Sequence, residues 1–471
     1  MAKQRNPAAR GSDVDLAVIH LTFEGIQTFG GGVATVTRGH LGALPRLRGA
    51  LAGEGVRLTP YFAEIAYRPD HPRHDPTYRR HAEALLAEMG GGLEYLVNYS
   101  EGLVPGAVWG VGDIGTIENW RAASASGAAV ALNFARRHTA ALIYGHDLVF
   151  ALAPLYATLQ QAAFGTAATA IYVVHSTALT HELPLPNPER LMVESATVHW
   201  AKVQPACKLG YISQFIAGHI ERDYGAHADN LVPTGNGINP QDSYFRQRDR
   251  EAIVAKLRQY AVPVDQPLVF SWGRPVAYKR YDIVLRAAAA LKGRLHPVIM
   301  LSSEMPELTA LGRRLGLDAT LIAAFDPEFV ACVLQWEQTV VAASLAYREP
   351  FGLTPIEVRM LARRRGPLMV VSDTGGLAEQ VQDAGDGFVT KQDDPQDVAG
   401  VLAHILTLDP SEREAIRRAG LETVLQHYTW SSQILQTLAA VYPRWQERFQ
   451  RARDRLASED LVALGRQARA V

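Results

Sequence analysis

The sequence predicts an α/β protein with two doubly wound domains in series. Its 471 residues are too many for a single hydrophobic core. Apolar runs typical of buried parallel strands alternate with helical segments in the N-terminal half, and again after residue 265. Polar loops follow the strand ends, and ligands of such sheets bind beyond the carboxyl ends of the strands. We therefore expect these loops to face one cleft between the two domains.

The first domain is predicted over residues 1–240. It opens with a strand–helix–strand unit in which a glycine-rich loop and a long helix separate the strands. Three further apolar runs, each followed by a polar loop, extend the same sheet. In chain order, the predicted elements are strand 15–21, loop 29–32, helix 33–52 and strands 56–61, 141–144, 171–174 and 209–212.

Residues 64–130 have weak hydrophobic periodicity, and only a helix near 79–89 is predicted there, with loops and short strands elsewhere. Residues 148–174 carry no charge and are long enough to suggest a membrane span. A proline, two glutamines and several threonines interrupt this stretch, which argues against a span. A helix near 151–162 and a strand over 170–174 are predicted there instead.

The second domain is predicted over residues 265–430, after a polar boundary segment at 240–265. Its predicted strands are 268–272, 297–301, 319–322, 340–344 and 368–372. Residues 431–471 are predicted as an amphipathic helix over 431–452 that packs back on the protein, followed by a frayed tail.

The composition is that of a globular protein whose charges balance. Lys and Arg together number 47 and Asp and Glu 48, so we expect no nucleic-acid or membrane-surface partner. Cys207 and Cys332 are far apart and lack metal-ligand spacing, so neither a disulfide framework nor a cysteine zinc site is expected. The few cysteines, and a polar N-terminus without a signal-peptide core, favour a cytoplasmic location.

Residues 348–357, Arg-Glu-Pro-Phe-Gly-Leu-Thr-Pro-Ile-Glu, are the most informative segment. Glu349 lies on the loop after a buried strand, and Glu357 lies about one turn into a helix that starts near Pro355. The amides between them lead into a helix N-terminus, which has unpaired donors and a partial positive charge. Two carboxylates for hydroxyls and a helix end for phosphate predict a nucleotide-sugar site. The alternative is a surface turn with two solvated glutamates.

Arg274 and Lys279 form a second constellation after the strand 268–272. Both lie on the loop that leads into a helix. Two fixed cations there suit a diphosphate leaving group, since Arg contacts it in a bidentate manner and Lys acts as a point charge. A solvated basic loop is the alternative, and the glutamate segment in the same domain favours the functional interpretation.

The pairing of Gly-Arg-x4-Lys with Glu-Pro-Phe-Gly-Leu-Thr-Pro-Ile-Glu resembles the retaining glycosyltransferases of the GT-B type. Bacterial glycogen synthases and sucrose-phosphate-synthase-like enzymes belong to this group. The resemblance extends from residue 15 to about 442 and is strongest over 268–381. It implies two Rossmann-like domains that face a cleft.

The resemblance also implies roles for residues of the second domain. Arg274 and Lys279 would bind the donor diphosphate, and Glu349 would contact the donor sugar near its anomeric centre. Glu357 would accept hydrogen bonds from the ribose hydroxyls. The remaining residues that the resemblance implies for donor binding are Phe351, Gly352, Leu353, Thr354, Gly375 and Gly376. For Gly375 and Gly376, the alternative is a strand-to-helix turn that needs glycine.

In the first domain, His175 resembles the family's strand-end histidine, which lies beside the transferred sugar. His146 and Asp147 resemble a His-Asp element one unit earlier, where Asp147 would contact the acceptor or orient His175. Gly31 and Gly32 resemble the family's N-terminal glycine loop, at which the backbone approaches the diphosphate. A structural role is the alternative for each of these residues.

One position departs from the glycogen synthase pattern. Those enzymes carry a lysine just before the glycine pair, whereas this chain has Thr28 and Phe29. The departure favours the broader group that uses small acceptors over the elongation of a glucan.

The resemblance implies transfer of glucose or a similar hexose from a UDP-, ADP-, GDP- or dTDP-sugar to a hydroxyl acceptor, with retention at the anomeric carbon. No Asp-x-Asp cluster stands at a strand end, so we expect neither a metal ion nor another cofactor. The rival interpretations are a pseudo-glycosyltransferase or epimerase on the same scaffold, and a non-catalytic nucleotide-sugar-binding protein. The donor base, the acceptor, the oligomeric state and the role of residues 64–130 stay open.

Overall fold

The computed structural model describes residues 13–29, 31–67, 70–97, 115–182 and 185–469. The chain divides into two compact units, of which the first comprises residues 1–236 with 430–471 and the second residues 237–429. Each unit is built on one parallel sheet with helices between its strands, which confirms the predicted α/β class.

The strands of the first unit are β1 Val14–Thr22, β2 Val56–Ile65, β3 Gly92–Leu96, β4 Ala140–His146, β5 Thr169–Val174, β6 Cys207–Tyr211 and β7 Leu231–Pro233. Among the described residues, they lie in the order β3-β2-β1-β4-β5-β6-β7. The chain builds one half of the sheet outward from β1 and then returns to start the other half at β4. β1 and β4 therefore flank the topological switch point, where such sheets bind ligands beyond the strand ends.

The helices between these strands are α1 Gly32–Ala52, α2 Pro76–Glu88, α3 Ile117–Ala135, α4 Ala153–Phe164, α5 Ala178–His181, α6 Pro188–Val203 and α7 Gln214–Tyr224. The central strand β1 is covered on both faces, since the consecutive residues Leu16, Ala17 and Val18 are all fully buried. Its sequence is therefore a continuous apolar run rather than an alternating one.

The prediction of loops and short strands over residues 64–130 is wrong for α3. This helix is rich in Ala, Ser and Gly, so its faces differ little in hydrophobicity and its periodicity is weak. The small residues permit close packing, because a Cβ on Gly127 would lie 3.0 Å from the ring of Phe150. Residues 68–69 and 98–114 of this region lie outside the described residues.

The uncharged stretch of residues 148–174 forms α4 and β5, as predicted. Gly165 ends the helix in a left-handed conformation, with φ 62°. None of the helices that the structure describes combines the length and the apolar composition that crossing a membrane requires.

The second unit has the strands β8 Leu268–Gly273, β9 His296–Leu301, β10 Thr320–Ile322, β11 Thr339–Ser344, β12 Leu368–Ser372 and β13 Phe388–Thr390. In the part of this unit that the structure describes, their order is β10-β9-β8-β11-β12-β13. β8 and β11 pair in parallel at the switch point of this sheet, with Val341 opposite Val269. The loops that follow these two strands carry the residues predicted to bind a diphosphate and a sugar.

The helices of the second unit are α8 Arg250–Gln259, α9 Tyr281–Ala290, α10 Pro306–Arg314, α11 Pro327–Val333, α12 Thr354–Leu361, α13 Gly375–Ala378, α14 Pro395–Thr407 and α15 Pro410–His427. Several begin with proline in the first turn behind an aspartate that caps the helix. Asp394, for example, accepts hydrogen bonds from the Gln396 and Asp397 amides at the start of α14.

The prediction of one continuous helix over 431–452 is wrong, whereas the tail after residue 457 is helical as predicted. Two helices, α16 Trp430–Val441 and α17 Gln446–Arg469, flank a short turn at Pro443, which has no amide proton to continue a helix. The helices pack back on the first unit, as expected. Asp460 in α17 forms an ion pair of 2.7 Å with Arg46 in α1.

A buried ion pair in the second unit joins α12 to the segment before β13. The Arg359 guanidinium lies 3.1 Å from the Asp386 carboxylate, and both side chains are at most 4% exposed. Arg359 also donates to the Pro355 carbonyl at 3.0 Å. The pair thus fixes the helix that carries Glu357.

Replacing Asp386 by Ala should lower the free energy of unfolding by about 3–5 kcal/mol, because it leaves the Arg359 charge buried without its partner. Glu337→Ala is the control. It removes the partner of Arg250 from a pair in which the two side chains are 60% and 40% exposed, and should cost about 0–1 kcal/mol. Urea unfolding of the three proteins measures both values. Equal losses in the two variants would contradict the structural role of the buried pair.

Candidate functional site

In the second unit, the loops after β8 and β11 are held together. The Tyr347 amide donates to the Tyr278 carbonyl at 2.7 Å. The Lys279 ammonium donates to the Glu349 carboxylate at 2.6 Å, and both side chains are less than one fifth exposed. The structure therefore brings together Lys279 and Glu349, which lie seventy positions apart in the sequence.

Arg274 lies on the same loop as Lys279 and is exposed. Its guanidinium donates to the Tyr278 hydroxyl at 2.7 Å, and its carbonyl accepts from the Tyr281 hydroxyl at 3.2 Å. The turn that directs the loop away from β8 requires glycine at position 273, where φ is 142°. An exposed, oriented guanidinium on the loop that carries Lys279 suits a polyanionic ligand.

Glu357 occupies the first turns of α12, as the sequence predicts. Its carboxyl group is largely shielded from water, and this burial raises its pKa from 4.5 to about 7. The predicted amides of residues 351–354 lead into this helix through Gly352, whose φ of 76° favours glycine. Glu349, the helix start and Glu357 thus follow one another along a single folded segment.

Gly375 and Gly376 follow β12 and lie directly against the Glu349 loop. The Gly376 amide donates to the Glu349 carbonyl at 2.8 Å. A Cβ on Gly375 would lie 2.3 Å from that carbonyl oxygen, and one on Gly376 would lie 2.4 Å from the Pro350 carbonyl oxygen. Close backbone packing is therefore sufficient reason for both glycines, while their contact with a donor stays a prediction.

Gln380 is a supporting residue that the sequence analysis missed. Its side-chain amide donates to the carbonyl oxygens of Phe351 at 2.6 Å, Gly352 at 3.1 Å and Gly376 at 3.0 Å. It is 2% exposed, so these bonds are shielded from water. A glutamine beside the Gly-Gly turn was the available signal, but nothing local indicated its distant partners.

In the first unit, His146 ends β4 and His175 follows β5. His146 is fully buried, and its Nδ1 lies 3.2 Å from Nε2 of His175. Its side chain therefore contacts the His175 ring and is not exposed to an acceptor. Burial lowers the pKa of His175, and the nearby negative charge of Asp147 partly opposes this effect. Asp147 itself has a φ of 60°, an uncommon value for a residue with a Cβ.

The glycine loop of the first unit leads into α1. Gly31 precedes the helix, and a Cβ there would lie 3.0 Å from the Glu24 carboxylate. A Cβ on Gly32 would meet no described atom within 4 Å, so packing against described residues does not explain this glycine. Gly30, within the predicted loop 29–32, lies outside the described residues.

Two buried glutamates bind backbone amides on either side of this glycine loop, and neither was predicted from the sequence. Glu24 accepts from the Ala34 amide at 3.1 Å, and Glu64 accepts from the Ile26 and Gln27 amides at 2.8 and 2.7 Å. Burial raises the pKa of Glu64 to about 8, although its two backbone hydrogen bonds act in the opposite direction. A lone acid in the apolar strand β2 was the signal available for Glu64.

In the second unit, Lys279 and the glycine turn of the predicted donor site therefore both contact Glu349. Glu357 lies on the same segment as Glu349, and Arg274 lies on the same loop as Lys279. The histidines and the glycine loop of the first unit occupy the switch point of their own sheet.

Comparison with known proteins connects this geometry to a family. Residues 254–422 match the model of the family described as glycosyl transferases group 1, and they span both the Lys279–Glu349 pair and α12. The second unit is therefore similar to a group 1 glycosyltransferase domain. The resemblance to GT-B glycosyltransferases is thereby confirmed.

Curated proteins similar to part of this chain are also glycosyltransferases by name. D-inositol 3-phosphate glycosyltransferase of Corynebacterium aurimucosum is 28% identical over 221 residues, which is 44% of this chain and 50% of that protein. The Mycobacterium tuberculosis protein of the same name is 28% identical over 234 residues, 47% of this chain and 46% of that one. The chain thus spans about half the length of the curated relatives it matches.

Solved structures show the same fold at lower identity. A glycosyltransferase from Rickettsia africae has a TM-score of 0.62 at 15% identity, covering 91% of this chain and 98% of that one. Sucrose-phosphate synthase from Thermosynechococcus elongatus has a TM-score of 0.61 at 18% identity with the same coverage. Anabaena HepE, solved in complex with UDP and glucose, has a TM-score of 0.56 at 16% identity, covering 90% and 99%.

Gln380→Leu should release the Glu349 loop, because it removes the donor shared by three carbonyl groups. We expect a loss of about 1–3 kcal/mol in the free energy of unfolding. Hydrogen exchange of the amides over residues 350–354 should also become faster, as mass spectrometry measures. The exposed residue Gln396 supplies the control, and its change to Leu should alter stability by at most about 0.5 kcal/mol. Unchanged exchange in the Gln380 variant would show that the loop is held by other contacts.

Proposed function

We propose that this protein transfers a sugar, glucose or a similar hexose, from a nucleotide-diphosphate sugar to a hydroxyl acceptor, with retention at the anomeric carbon. The observation that carries the proposal is the Lys279–Glu349 pair, which lies within the residues that match the group 1 glycosyltransferase model. Arg274 lies on the same loop as Lys279. The names of the curated relatives and the UDP complexes of HepE support the same reaction class.

On the donor side, Arg274 and Lys279 neutralise the diphosphate. Lys279 is already oriented by Glu349, and Arg274 by the Tyr278 hydroxyl, so little side-chain freedom is lost when an anion binds. The start of α12 adds backbone donors and a partial positive charge. These groups stabilise the charge that develops on the departing nucleotide.

The carboxylates of Glu349 and Glu357 bind hydroxyl groups. Glu349 contacts the transferred sugar, and its place beside Lys279 sets the sugar next to the diphosphate. Glu357 accepts hydrogen bonds from the ribose hydroxyls, and its ionised form accepts more of them than its protonated form. The remaining predicted donor contacts are the backbone amides of residues 351–354, with Gly31 and Gly32 in the first unit.

Retention at the anomeric carbon follows from attack on the face that the leaving group departs from. The leaving phosphate oxygen takes the acceptor proton as the new glycosidic bond forms, while Arg274 and Lys279 offset the charge on the phosphate. Because Arg274 and Lys279 neutralise the diphosphate, we propose that the reaction needs no metal ion. Asp147 and His175 are the proposed contacts to the acceptor and the sugar in the first unit.

Arg274→Ala should abolish nucleotide binding while the protein stays folded. In a thermal-shift screen without metal, UDP, ADP, GDP and dTDP are each tested on the wild type and the variant. A nucleotide at about 100 times its dissociation constant should stabilise the wild type by about 2.7 kcal/mol and leave the variant unchanged. Arg314→Ala, which removes an exposed arginine on α10, is the control with the same change in charge.

Absence of a shift with every nucleotide in folded wild-type protein would count against the transferase. A shift without transfer of sugar to any acceptor would instead favour the non-catalytic binding protein, and product analysis identifies an epimerase.

Nucleotide affinity should rise with pH through the pKa of Glu357. Its pKa of about 7 makes the carboxyl group mostly protonated below that pH, and a protonated group accepts fewer hydrogen bonds from ribose. Between about pH 6 and about pH 8 the ionised fraction, and with it the affinity for UDP, should increase about tenfold. Calorimetric titration measures the affinity. Glu357→Gln should bind more weakly and lose this pH dependence, and an equal slope in that variant would assign it to another group.

A further inference from the structure

Three histidines of the first unit form a continuous chain of hydrogen bonds that ends in the candidate site. Nε2 of His175 lies 3.2 Å from Nδ1 of His146, and Nε2 of His146 lies 3.1 Å from Nδ1 of His20. His20 and His146 are fully buried, whereas His175 is partly exposed. We propose that this chain holds His175 in the neutral form with its proton on Nδ1, so that His175 donates a hydrogen bond to the sugar and cannot act as a base.

The register of the sheet produces this chain. His20 in β1 lies opposite Tyr144 in β4, and His146 is two residues further along β4 on the same face. His146 in turn lies opposite Val173 in β5, and His175 is two residues beyond it. Each ring is therefore displaced by two residues on the next strand, which places the three side chains on one face in a diagonal row.

His20 lies inside the sheet and has no contact with solvent. Its ring stacks between those of Phe62 and Tyr144, its neighbours on the adjacent strands, with centroid distances of 4.7 Å to each. Burial lowers the pKa of His20 and of His146 well below the ordinary value, so both rings are neutral. Each neutral imidazole carries one proton on nitrogen.

Proton counting then couples the three rings. Three neutral rings share three protons, and each of the two hydrogen bonds uses one of them. The third proton lies at one end of the chain, on Nε2 of His20 or on Nδ1 of His175. A tautomeric change at one ring consequently requires a change at all three.

The ends of the chain differ in their surroundings. Nε2 of His20 is buried without a hydrogen-bond partner among the described residues. A proton there would be an orphaned donor, which proteins avoid more strongly than an unsatisfied acceptor. The partly exposed His175 lies near the negative charge of Asp147, which favours an N–H group there. The unpartnered Nε2 of His20 and the charge of Asp147 therefore both favour a proton on Nδ1 of His175.

This arrangement makes His20 and His146 positioning residues. Nε2 of His175 accepts from His146, so its lone pair is not available to take a proton from the acceptor hydroxyl. Its Nδ1–H group donates to an oxygen of the bound sugar. This last step rests on the proposed function, whereas the tautomer itself does not depend on it.

A metal ion is the competing explanation for the buried histidines. The nitrogen atoms of His20, His40 and His146 lie within 4.8 Å of one another, which would permit three ligands. Among the described residues, however, this cluster contains three imidazoles and neither a carboxylate nor a thiolate. An ion there would leave its charge buried and uncompensated, so the hydrogen-bonded chain is the favoured state.

The test is nitrogen NMR of the whole protein labelled in histidine, with the His175 signals assigned by their loss in His175→Gln. We expect Nδ1 of His175 to carry the proton and Nε2 to be unprotonated. A proton on Nε2, a charged ring or a mixture of the two tautomers would overturn the proposal. The measurement needs neither substrate nor activity, so its outcome is independent of whether the transferase proposal holds.

Variants of His20 test whether the tautomer of His175 depends on the hydrogen-bonded chain. His20→Leu removes the last partner of the chain and should give a mixture of tautomers at His175, with kcat about tenfold lower and the dissociation constant for UDP unchanged. His20→Asn places an amide donor near the position of Nδ1 and should restore both readouts. His40→Leu removes another buried imidazole and should leave the tautomer unchanged. The His40 ring meets those of His20 and His146 edge-on, with centroid distances of 4.9 and 5.8 Å, and is not a member of the hydrogen-bonded chain.

Two outcomes of this series would overturn the chain. One is the wild-type tautomer in folded His20→Leu, and the other is a tautomer change in His40→Leu as large as that in His20→Leu. Elemental analysis of the same wild-type preparation, before and after addition of zinc, decides the metal alternative. Stoichiometric zinc, lost on His40→Leu, would replace the hydrogen-bonded chain by a metal site.

Discussion

The constraint on which this protein depends is that a parallel sheet covered on both faces admits a polar side chain along its strands only where that side chain finds a hydrogen-bond partner. The residues predicted to bind a ligand therefore lie mainly in the loops at the strand ends, and they are concentrated where the strand order reverses. In the second unit, β8 and β11 are neighbours at that point. Their adjacency brings Lys279 within 2.6 Å of Glu349 across a wide sequence separation.

The same constraint explains the supports of the site. A loop that carries a functional carboxylate must satisfy its own backbone groups where water is excluded. Gly376 and Gln380 do this for the Glu349 loop, through a backbone amide and a three-way side-chain amide. In the first unit, Glu64 accepts hydrogen bonds from two backbone amides just before the glycine loop. Polar groups inside the sheet can satisfy one another instead, as the row of histidines from β1 to β5 does.

Local signals were sufficient for most elements and for the positions of the predicted donor-site residues at strand ends and at a helix start. The strands from β8 to β12 were predictable because each is an apolar run bounded by polar loops, and Glu349 and Glu357 because they flank a helix start. α3 was not predictable, since a helix of small residues has little periodicity. The break at Pro443 was available in the sequence and was overlooked. Gln380, Glu24 and Glu64 were missed because their partners are set by packing.

The sequence by itself determined most strands and helices of the two units and the residue types at the strand ends, because hydrophobic periodicity and turn chemistry are local properties. Only the tertiary structure decided which of these residues meet. The contact of Gly375 with Glu349 and the hydrogen bonds from His20 to His175 depend on strand register and on the distance between neighbouring strands. These quantities arise from the packing of the whole sheet, and no single segment of the chain encodes them.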